Sequence, residues 1–384
     1  MAYAYDCPSD SAINNTIFLN YKIYNRSMFT LTNAYAGMWT DFDLGNYGDD
    51  YVGCDVARGA FYAYNGDNND EDANGASGYG THPPAQGVVF LKGPKQDNDG
   101  IDNPFTTNIQ DALDLNGIPY AGLGVGYGDG IIDNEHLGMK HFKYYSSNGG
   151  APGDGDPVNG TDFYNYLQGN WRGTTGQVVW GGDGNPFGTG QPGVFADYMF
   201  PGDSDPLFWG TGGVTQAPSS WWEGSVGNTP SDRRGLGSTG PFTMQPGDMV
   251  ELDLAFVFGR DYQNTGNTAG VVVMQERIDS IRSYYLNSFQ SVCGGVLASV
   301  NSVEEQENNL QVYPNPFNNQ FMVKYELESA TAALKVFNMY GKLVENTVIT
   351  KSNTLIDLSQ EANGIYFVQI TDGATRVTKK MVKQ

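Results

Sequence analysis

The chain has 384 residues, including 51 glycines, 18 prolines and 13% aromatic residues. This length accommodates two or three domains, and the many turn formers and aromatic residues favour short strands over a helical bundle. Residues 309–384 contain eight Lys/Arg and six Asp/Glu, which leaves thirteen Lys/Arg and thirty-seven Asp/Glu, a net charge near −24, for residues 1–308. So acidic a segment repels phosphates, which excludes nucleic acid and anionic membranes as electrostatic partners and favours cations.

The three cysteines, Cys7, Cys54 and Cys293, form no CxxC pair, so a thiolate zinc site is not expected. An oxidising compartment permits one disulfide, and we predict that Cys7 pairs with Cys54 because both lie in the first predicted strands. No apolar run approaches about eighteen residues, so no transmembrane segment is predicted. The first residues lack the basic and apolar regions of a signal peptide, which predicts a mature part or fragment of a longer precursor.

The first ninety or so residues predict strands separated by one acidic loop. Residues 13–31 are rich in β-branched and aromatic types, and residues 35–43 predict a further strand. Asp41 and Asp43 fall on one face of that strand, where they could converge with other nearby aspartates or form a polar outer face. Residues 65–80 are almost all Asp, Asn, Gly and Glu and predict a loop, and residues 87–91 predict a short buried strand.

The region from residue 104 to 290 predicts long loops, then one strand and one helix. Its loops contain five tryptophans, which would be unfavourable in water and are therefore expected to anchor ordered loops. Residues 164–167 predict a short helical turn, and the alternation in residues 249–258 predicts a central strand. Apolar residues then recur at spacings of three and four, which predicts one amphipathic helix: Met274, Ile278, Ile281, Tyr285 and Phe289.

Two acidic segments predict calcium ligands. The first carries carboxylates at alternating positions around a glycine, which lets several oxygens converge at distances that Ca²⁺ prefers: Asp97, Asp99 and Asp102. The second resembles the latter half of an EF-hand or dockerin loop and contributes Asp129, Asp133 and Glu135. Neither segment has the full EF-hand pattern, so the second is expected to need ligands from another loop, and the first is a candidate. A solvated turn is the alternative for each.

Signals for an enzyme are weak. The three histidines show no zinc-binding spacing, and no GxSxG sequence occurs, so we assign no catalytic residue. Paired carboxylates of the glycosidase kind are compatible with the many Asp and Glu residues, and tryptophans such as Trp221 and Trp222 could stack on sugar rings. A polysaccharide-acting hydrolase and a non-catalytic glycan-binding protein therefore remain alternatives to a structural or adhesive protein.

The last seventy-five or so residues carry the most informative pattern. Tyr313-Pro314-Asn315-Pro316-Phe317 opens the segment, and a predicted strand and turn end at Tyr340-Gly341. Gly364-Ile365-Tyr366-Phe367-Val368 follows, and Lys379-Lys380-Met381-Val382-Lys383 closes the chain. In this order the motifs resemble the type A C-terminal sorting domain of the type IX secretion system of Bacteroidota. The count and spacing of strands predict a compact seven-stranded Ig-like β-sandwich, which is also the fold of that family.

The resemblance implies a secreted or outer-surface protein whose tail contacts the type IX translocon and its shuttle proteins. It makes residues 364–368 and 379–383 the expected contact elements. In that family a surface peptidase commonly removes the domain, and the cargo is attached to a lipopolysaccharide anchor.

The sequence as a whole predicts an all-β protein. We expect a loop-rich, β-sandwich-like front domain with one amphipathic helix over residues 1–290, a linker over 291–308 and the sorting domain over 309–384. The first functional hypothesis is a surface-anchored structural or adhesive protein stabilised by Ca²⁺.

Overall fold

The structure is a computed structural model of the chain. It describes residues 1–73, 75–104, 123–146, 153–173, 176–186, 193–214, 216–287, 310–325, 329–338, 342–373 and 375–384. The chain divides into two compact units, Met1–Leu297 and Ala298–Gln384, called here the front unit and the tail unit. The predicted linker, residues 291–308, lies outside the described residues.

The front unit is built mainly from antiparallel strands. Its described strands are β1 (Ala2–Tyr3), β2 (Thr16–Tyr24), β3 (Leu31–Asp41), β4 (Asp50–Asp55), β5 (Ala60–Asn65), β6 (Ala85–Lys92), β7 (His141–Ser146), β8 (Arg233–Met244) and β9 (Met249–Gly259). Six of them form one sheet in the order β1-β2-β9-β6-β5-β4, and the other three form a second sheet in the order β3-β8-β7. The predicted central strand is therefore confirmed as β9, which lies inside the larger sheet.

The two sheets enclose the main core of the front unit. The larger sheet contributes Val52, Phe61 and Phe90, and the smaller sheet contributes Phe142 and Phe242, all in one buried cluster. The loops that follow β7 add three fully buried tryptophans to the same cluster: Trp171, Trp180 and Trp221. The prediction that tryptophans anchor ordered loops is confirmed for these three.

The opposite face of the larger sheet is covered by helices. The described α-helices of the front unit are α1 (Ser11–Asn14), α2 (Gly160–Leu167) and α3 (Ala269–Leu286). Met274, Ile278 and Ile281 of α3 are all buried against this face, which confirms the predicted amphipathic stripe. Phe289, the last residue of that stripe, lies outside the described residues. Among the residues described, none of the helices combines the length and apolar character that a bilayer crossing requires.

Strand β8 was missed in the sequence because glycines interrupt its pattern. A Cβ atom on Gly237 would lie 2.6 Å from ring atoms of Phe61 and 2.9 Å from the ring of Phe90, both of which belong to the larger sheet. The glycine therefore lets aromatic rings of one sheet pack directly against the backbone of the other. A strand built this way lacks the alternating large side chains that sequence analysis detects.

The predicted disulfide between Cys7 and Cys54 is wrong. Cys7 is disulfide-bonded, whereas Cys54 is a free, buried thiol in the core between the two sheets. Cys7 instead belongs to the cluster on the opposite face of the larger sheet. The sheet therefore separates the two cysteines, and Cys293 lies outside the described residues.

The described residues of the tail unit form a seven-stranded β-sandwich, as predicted. Its strands are β10 (Gln311–Tyr313), β11 (Gln320–Lys324), β12 (Ala332–Asn338), β13 (Leu343–Ile349), β14 (Asn353–Asp357), β15 (Gly364–Asp372) and β16 (Thr375–Lys383). They form a three-stranded sheet, β10-β11-β14, and a four-stranded sheet, β13-β12-β15-β16. Phe321 and Val323 of the first sheet pack with Leu334, Val336 and Val368 of the second in one buried core.

Candidate functional site

The front unit has an aromatic pocket on the outer face of its three-stranded sheet. Trp39 of β3 pairs with Leu236 of β8, and Tyr145 of β7 pairs with Arg234, so these side chains rise from neighbouring strands. Helix α2 lies over the same face. The pocket has a volume of about 390 Å³ and is lined by Trp39, Tyr145, Asp156, Pro157, Phe163, Tyr166, Leu167 and Leu236. Its size is in the range of small-molecule sites.

The walls of the aromatic pocket are fixed by hydrogen bonds and ring contacts. The Trp39 Nε1 donates to the Tyr145 hydroxyl at 2.6 Å, and the rings of Tyr145 and Tyr166 lie 5.0 Å apart. The Tyr166 hydroxyl donates to the carbonyl oxygen of Gly155 at 2.7 Å. Trp39 and Phe163 nevertheless remain 48% and 57% exposed. Two apolar rings are therefore open to solvent, and that of Trp39 is held in place by its bond to Tyr145.

A carboxylate cluster adjoins the aromatic pocket. Asp41, two residues after Trp39 on β3, lies with Asp43 and Asp232, and their oxygen atoms come within 4.8 Å of one another. The Arg234 guanidinium bonds Asp41 at 3.1 Å and Asp232 at 2.6 Å. Burial raises the pKa of Asp41, and Arg234 opposes that shift. The arginine therefore neutralises part of this cluster and fixes its oxygens as hydrogen-bond acceptors.

A fully buried lysine lies beneath the same face. Lys143 pairs with Leu236 and is 0% exposed. Its Nζ lies 3.6 Å from the ring centroid of Tyr166 and 3.7 Å from that of Trp171, and it has no hydrogen-bond partner among the described residues. Burial lowers the pKa of Lys143 well below its usual value. The lysine thus supports the Tyr166 wall of the pocket.

The structure brings together the two segments that were predicted to bind calcium. Residues 95–103 and 124–136, called here the paired acidic loops, are cross-linked by carboxylates that accept backbone N–H bonds. Asp133 Oδ1 accepts from Asp99 and Gly100 at 2.8 and 2.9 Å, and Asp102 accepts from Gly128 and Gly130 at 2.9 and 2.7 Å. The first predicted segment is therefore the partner of the second.

The remaining ligands have local roles. Asp99 and Asp129 each accept from the N–H two residues further on, and buried Glu135 accepts from the Asn103 N–H at 2.6 Å. Asp97 is directed elsewhere, because both of its oxygens bond Thr243 of β8 at 2.7 Å. Calcium binding by the paired acidic loops stays a prediction.

In the tail unit, the Pro-Asn-Pro motif is joined to the C-terminal strand. The side chain of Asn315, between Pro314 and Pro316, accepts from the Val382 N–H at 2.9 Å and donates to the Lys380 carbonyl at 3.2 Å. The Phe317 N–H donates to the Val382 carbonyl at 2.9 Å. The first and last motifs of the sequence pattern are thus one hydrogen-bonded unit along the outer edge of β16.

The other predicted signal residues are divided between core and surface. Gly364 opens β15, where it pairs with Lys383, and Tyr366 is buried in the core of the tail unit. The Lys379 ammonium donates to the Leu310 carbonyl at 3.3 Å, and Lys380 pairs with the exposed Phe367. Gly341 lies outside the described residues. The surface thus offers Ile365, Phe367 and Lys380, whereas Tyr366 stabilises the sandwich.

Sequence reasoning missed most of the aromatic pocket. Trp39, Tyr145, Phe163 and Arg234 were not singled out, and Asp232 was not expected beside Asp41. The alternation of Trp39 and Asp41 on one predicted strand was a usable signal, because it places an aromatic ring and a carboxylate on one face. The other members come from distant segments that meet only in the folded sheet.

Comparison with known proteins identifies the tail. Residues 311–384 match the family described as "Secretion system C-terminal sorting domain". Among solved structures, the chain is similar to a DUF3244 family protein with an immunoglobulin-like β-sandwich fold from Bacteroides vulgatus, at 14% identity over 20% of this chain and 87% of that one, with a TM-score of 0.19. It is also similar to PorZ, an essential surface component of the type IX secretion system of Porphyromonas gingivalis, at 16% identity over 22% of this chain and 12% of that one, with a TM-score of 0.18. No curated protein matches the chain.

The chain therefore carries a type IX sorting domain. It is a secreted or outer-surface protein, and its tail interacts with the type IX machinery. The fold class, all-β with few helices, is likewise as predicted.

Proposed function

We propose that this protein is a surface adhesin whose front unit binds carbohydrate in the aromatic pocket. The observation that carries the proposal is the pair of solvent-exposed rings, Trp39 and Phe163, that line a pocket beside a cluster of carboxylates. Aromatic rings bind the apolar faces of sugar rings, while fixed acceptors bind their hydroxyl groups. The tail unit would deliver this binding surface to the cell exterior.

The carboxylate cluster beside the aromatic pocket favours binding of a glycan over its hydrolysis. A glycosidase uses two carboxyl groups that flank the scissile bond, one as acid and one as base or nucleophile. Here Asp41 and Asp232 both bond Arg234, which holds them as hydrogen-bond acceptors. A polysaccharide-acting hydrolase is the second candidate because Asp43 and Asp156 lie at the same site.

A two-part assay on the purified full chain tests the proposal. Soluble and insoluble polysaccharides are first screened for binding, and every glycan bound is then incubated with the protein and assayed for new reducing ends. We expect saturable binding of at least one neutral glycan and no release of reducing ends. Release of reducing ends would favour the hydrolase, and binding to none of the glycans would count against both.

In the tail unit, we propose that the machinery reads the outer face of the four-stranded sheet. Phe367 lies between Phe337 of β12 and Lys380 of β16, and Ile365 is exposed further along β15. An apolar surface with a lysine beside it supports docking on a protein with an apolar, acidic surface. Replacing Phe367 with Ser in a secreted reporter fused to the tail should reduce export, whereas Leu355→Ser, on exposed β14, is the matched control. Equal export by both variants would contradict this docking face.

Removal of the tail and attachment of the front unit to lipopolysaccharide also remain proposals, supported by the sorting domain. The mass of the exported protein tests them. We expect a species that has lost residues 311–384 and carries added polysaccharide, and export at the unmodified full mass would contradict both steps.

A further inference from the structure

A second group of acidic residues lies at one end of the core between the sheets. Asp50 begins β4, Asn65 ends β5, and the two pair directly across the antiparallel strands. Cross-strand partners have their Cβ atoms about 5 Å apart on the same face. Val52 and Cys54, which alternate with Asp50, place that face toward the core. Asp50 is 0% exposed and Asn65 is 1% exposed.

Three oxygen atoms at this point lack hydrogen-bond partners. They are the Oδ1 atoms of Asp49, Asp50 and Asn65, and all three are buried and unpartnered among the described residues. The three residues are neighbours in the fold. Asp49 precedes Asp50 in the chain, and the Asp49 carbonyl accepts from the N–H of Gly66, the residue after Asn65, at 2.6 Å. Buried acceptors without donors are unfavourable in proteins and are uncommon.

The opposite ends of the same side chains are fixed by hydrogen bonds. Leu44 N–H donates to Asp50 Oδ2 at 3.1 Å, and the Asn46 side chain donates to Asp49 Oδ2 at 2.9 Å. The Asn65 Nδ2 donates to the Asp67 carbonyl at 3.0 Å, which assigns its oxygen to the buried side. Each side chain thus keeps one buried oxygen that receives no donor from the described residues.

No arginine or lysine balances these carboxylates within the described part of the chain. Two other buried acids of the front unit do receive one: Asp55 pairs with Arg58 at 3.0 Å, and Glu223 pairs with Arg233 at 2.6 Å. Asp50 is buried to the same degree and has no such pair among the described residues. A buried carboxylate that receives no cation from the chain can bind an external one.

The neighbourhood is also strongly negative. Buried Asp70 accepts from the Asn46 N–H at 3.0 Å, so Asn46 joins it to Asp49.

We propose that the Oδ1 atoms of Asp49, Asp50 and Asn65 bind a divalent cation, Ca²⁺. Carboxylate and amide oxygens are the hard ligands that Ca²⁺ accepts, and water completes its coordination. The site lies at the β4 edge of the larger sheet, and none of its three ligands belongs to the paired acidic loops. The bound ion would connect the loop before β4 to the loop after β5. A proton on Asp50 would compete with the ion for this site.

Calcium titration of the full chain tests the site. Metal-free protein is titrated with CaCl₂ and followed by native mass spectrometry and thermal melting for the wild type, Asp50→Asn and the control Asp203→Asn, which changes an exposed carboxylate. We expect the wild type and the control to bind one more Ca²⁺ than Asp50→Asn, whose calcium-dependent rise in melting temperature at this site is lost. Equal calcium content in all three proteins, or no calcium in any, would overturn the proposal in favour of a proton.

A second variant tests the site in case Asp50→Asn does not fold. Asp49→Asn changes a partly exposed ligand and preserves the size of the side chain. We expect its calcium affinity at this site to fall at least tenfold. An affinity equal to that of the wild type would overturn the assignment of Asp49, Asp50 and Asn65 as a joint site.

Discussion

The indole nitrogen of Trp39 and the hydroxyl oxygen of Tyr145 lie 2.6 Å apart, although the two residues occupy opposite edge strands of the three-stranded sheet. The bond therefore passes over β8, which lies between them. Burial raises the pKa of Tyr145 to about 12, so its hydroxyl is neutral at physiological pH and accepts the indole N–H. The half-exposed Trp39 ring is thus oriented before any ligand arrives, which reduces the entropy lost on binding.

Replacement of Lys143 with Met should stabilise the protein. The amine is buried without a hydrogen bond to any described residue, and burial lowers its pKa well below the usual value, so the protonated amine is unfavourable in the folded state. A methionine of similar shape removes that cost, and we expect a gain of roughly 1–3 kcal/mol in the free energy of unfolding. Urea unfolding measures it, with exposed Lys22→Met as the control.

If Lys143→Met instead lowers the free energy of unfolding, the rings of Tyr166 and Trp171 stabilise the charged form of the lysine. Those rings lie at distances suitable for cation–π attraction. Destabilisation of more than about 1 kcal/mol, with Lys22→Met near zero, would therefore contradict the view that the buried amine opposes folding.

Buried His141 should make the front unit less stable in acid. Burial lowers its pKa to about 4, while nearby Asp197, 3.5 Å away, opposes the shift. The unfolded chain binds the proton below about pH 6.5 and the folded chain only near pH 4, so stability falls as the pH drops between these values, by about 3 kcal/mol in all. His141→Gln lacks this loss. In urea unfolding, the free energy of unfolding of the wild type minus that of the variant should therefore decrease from pH 7.5 to pH 4.5. An increase in this difference would show that the attraction of Asp197 for protonated His141 outweighs the effect of burial.

The stability of the paired acidic loops should depend on Asp102, whether or not the loops bind a metal ion. Its two oxygens accept the N–H groups of Gly128 and Gly130, and an asparagine would place a donor against one of them. We expect Asp102→Asn to lower the free energy of unfolding by about 1–3 kcal/mol. Exposed Asp203→Asn is the control. No difference between the two variants would show that the cross-links contribute little.

Calcium in these loops is tested separately in the Asp50→Asn background, which lacks the other proposed cation site. If the loops bind Ca²⁺ as the sequence predicts, EDTA should still lower the melting temperature of this variant, since an ion bound by the native state stabilises it. Unchanged melting would contradict the calcium prediction for Asp99, Asp102, Asp129, Asp133 and Glu135.

Asn315 should hold the C-terminal strand in place. Its side chain bonds Val382 and Lys380, so Asn315→Ala removes two hydrogen bonds from the outer edge of β16, worth about 1 kcal/mol each. Hydrogen exchange of the C-terminal peptide should become faster in this variant than in Asn318→Ala, which alters the adjoining turn. Identical exchange rates in the two variants would show that the Pro-Asn-Pro motif does not stabilise β16.

The sequence was most informative where short-range patterns determine structure. The stripe of Met274, Ile278 and Ile281 predicted α3, and the alternation in residues 249–258 predicted β9, because both patterns report a single buried face. The seven tail strands followed from their turns. Strand β8 was missed because Gly237 makes room for Phe61, an interaction that only the opposite sheet explains.

The sites depended on contacts between distant residues, so they were harder to predict. The two acidic loops were found as motifs, and their mutual contact was anticipated, yet only the structure showed that Asp97 is directed to Thr243. The pairing of Trp39 with Tyr145 joins segments about a hundred residues apart. The cysteines illustrate the same limit, because the larger sheet separates Cys7 from Cys54.

The most direct test of the adhesin account is a comparison of glycan affinity between two tryptophan variants. Trp39→Ala removes an exposed ring of the aromatic pocket, and Trp222→Ala removes a similarly exposed ring that does not line it. For the glycan bound best by the full chain, titration calorimetry should show at least a tenfold loss of affinity for Trp39→Ala and wild-type affinity for Trp222→Ala. Unchanged binding by a correctly folded Trp39→Ala protein would show that the aromatic pocket is not the carbohydrate site.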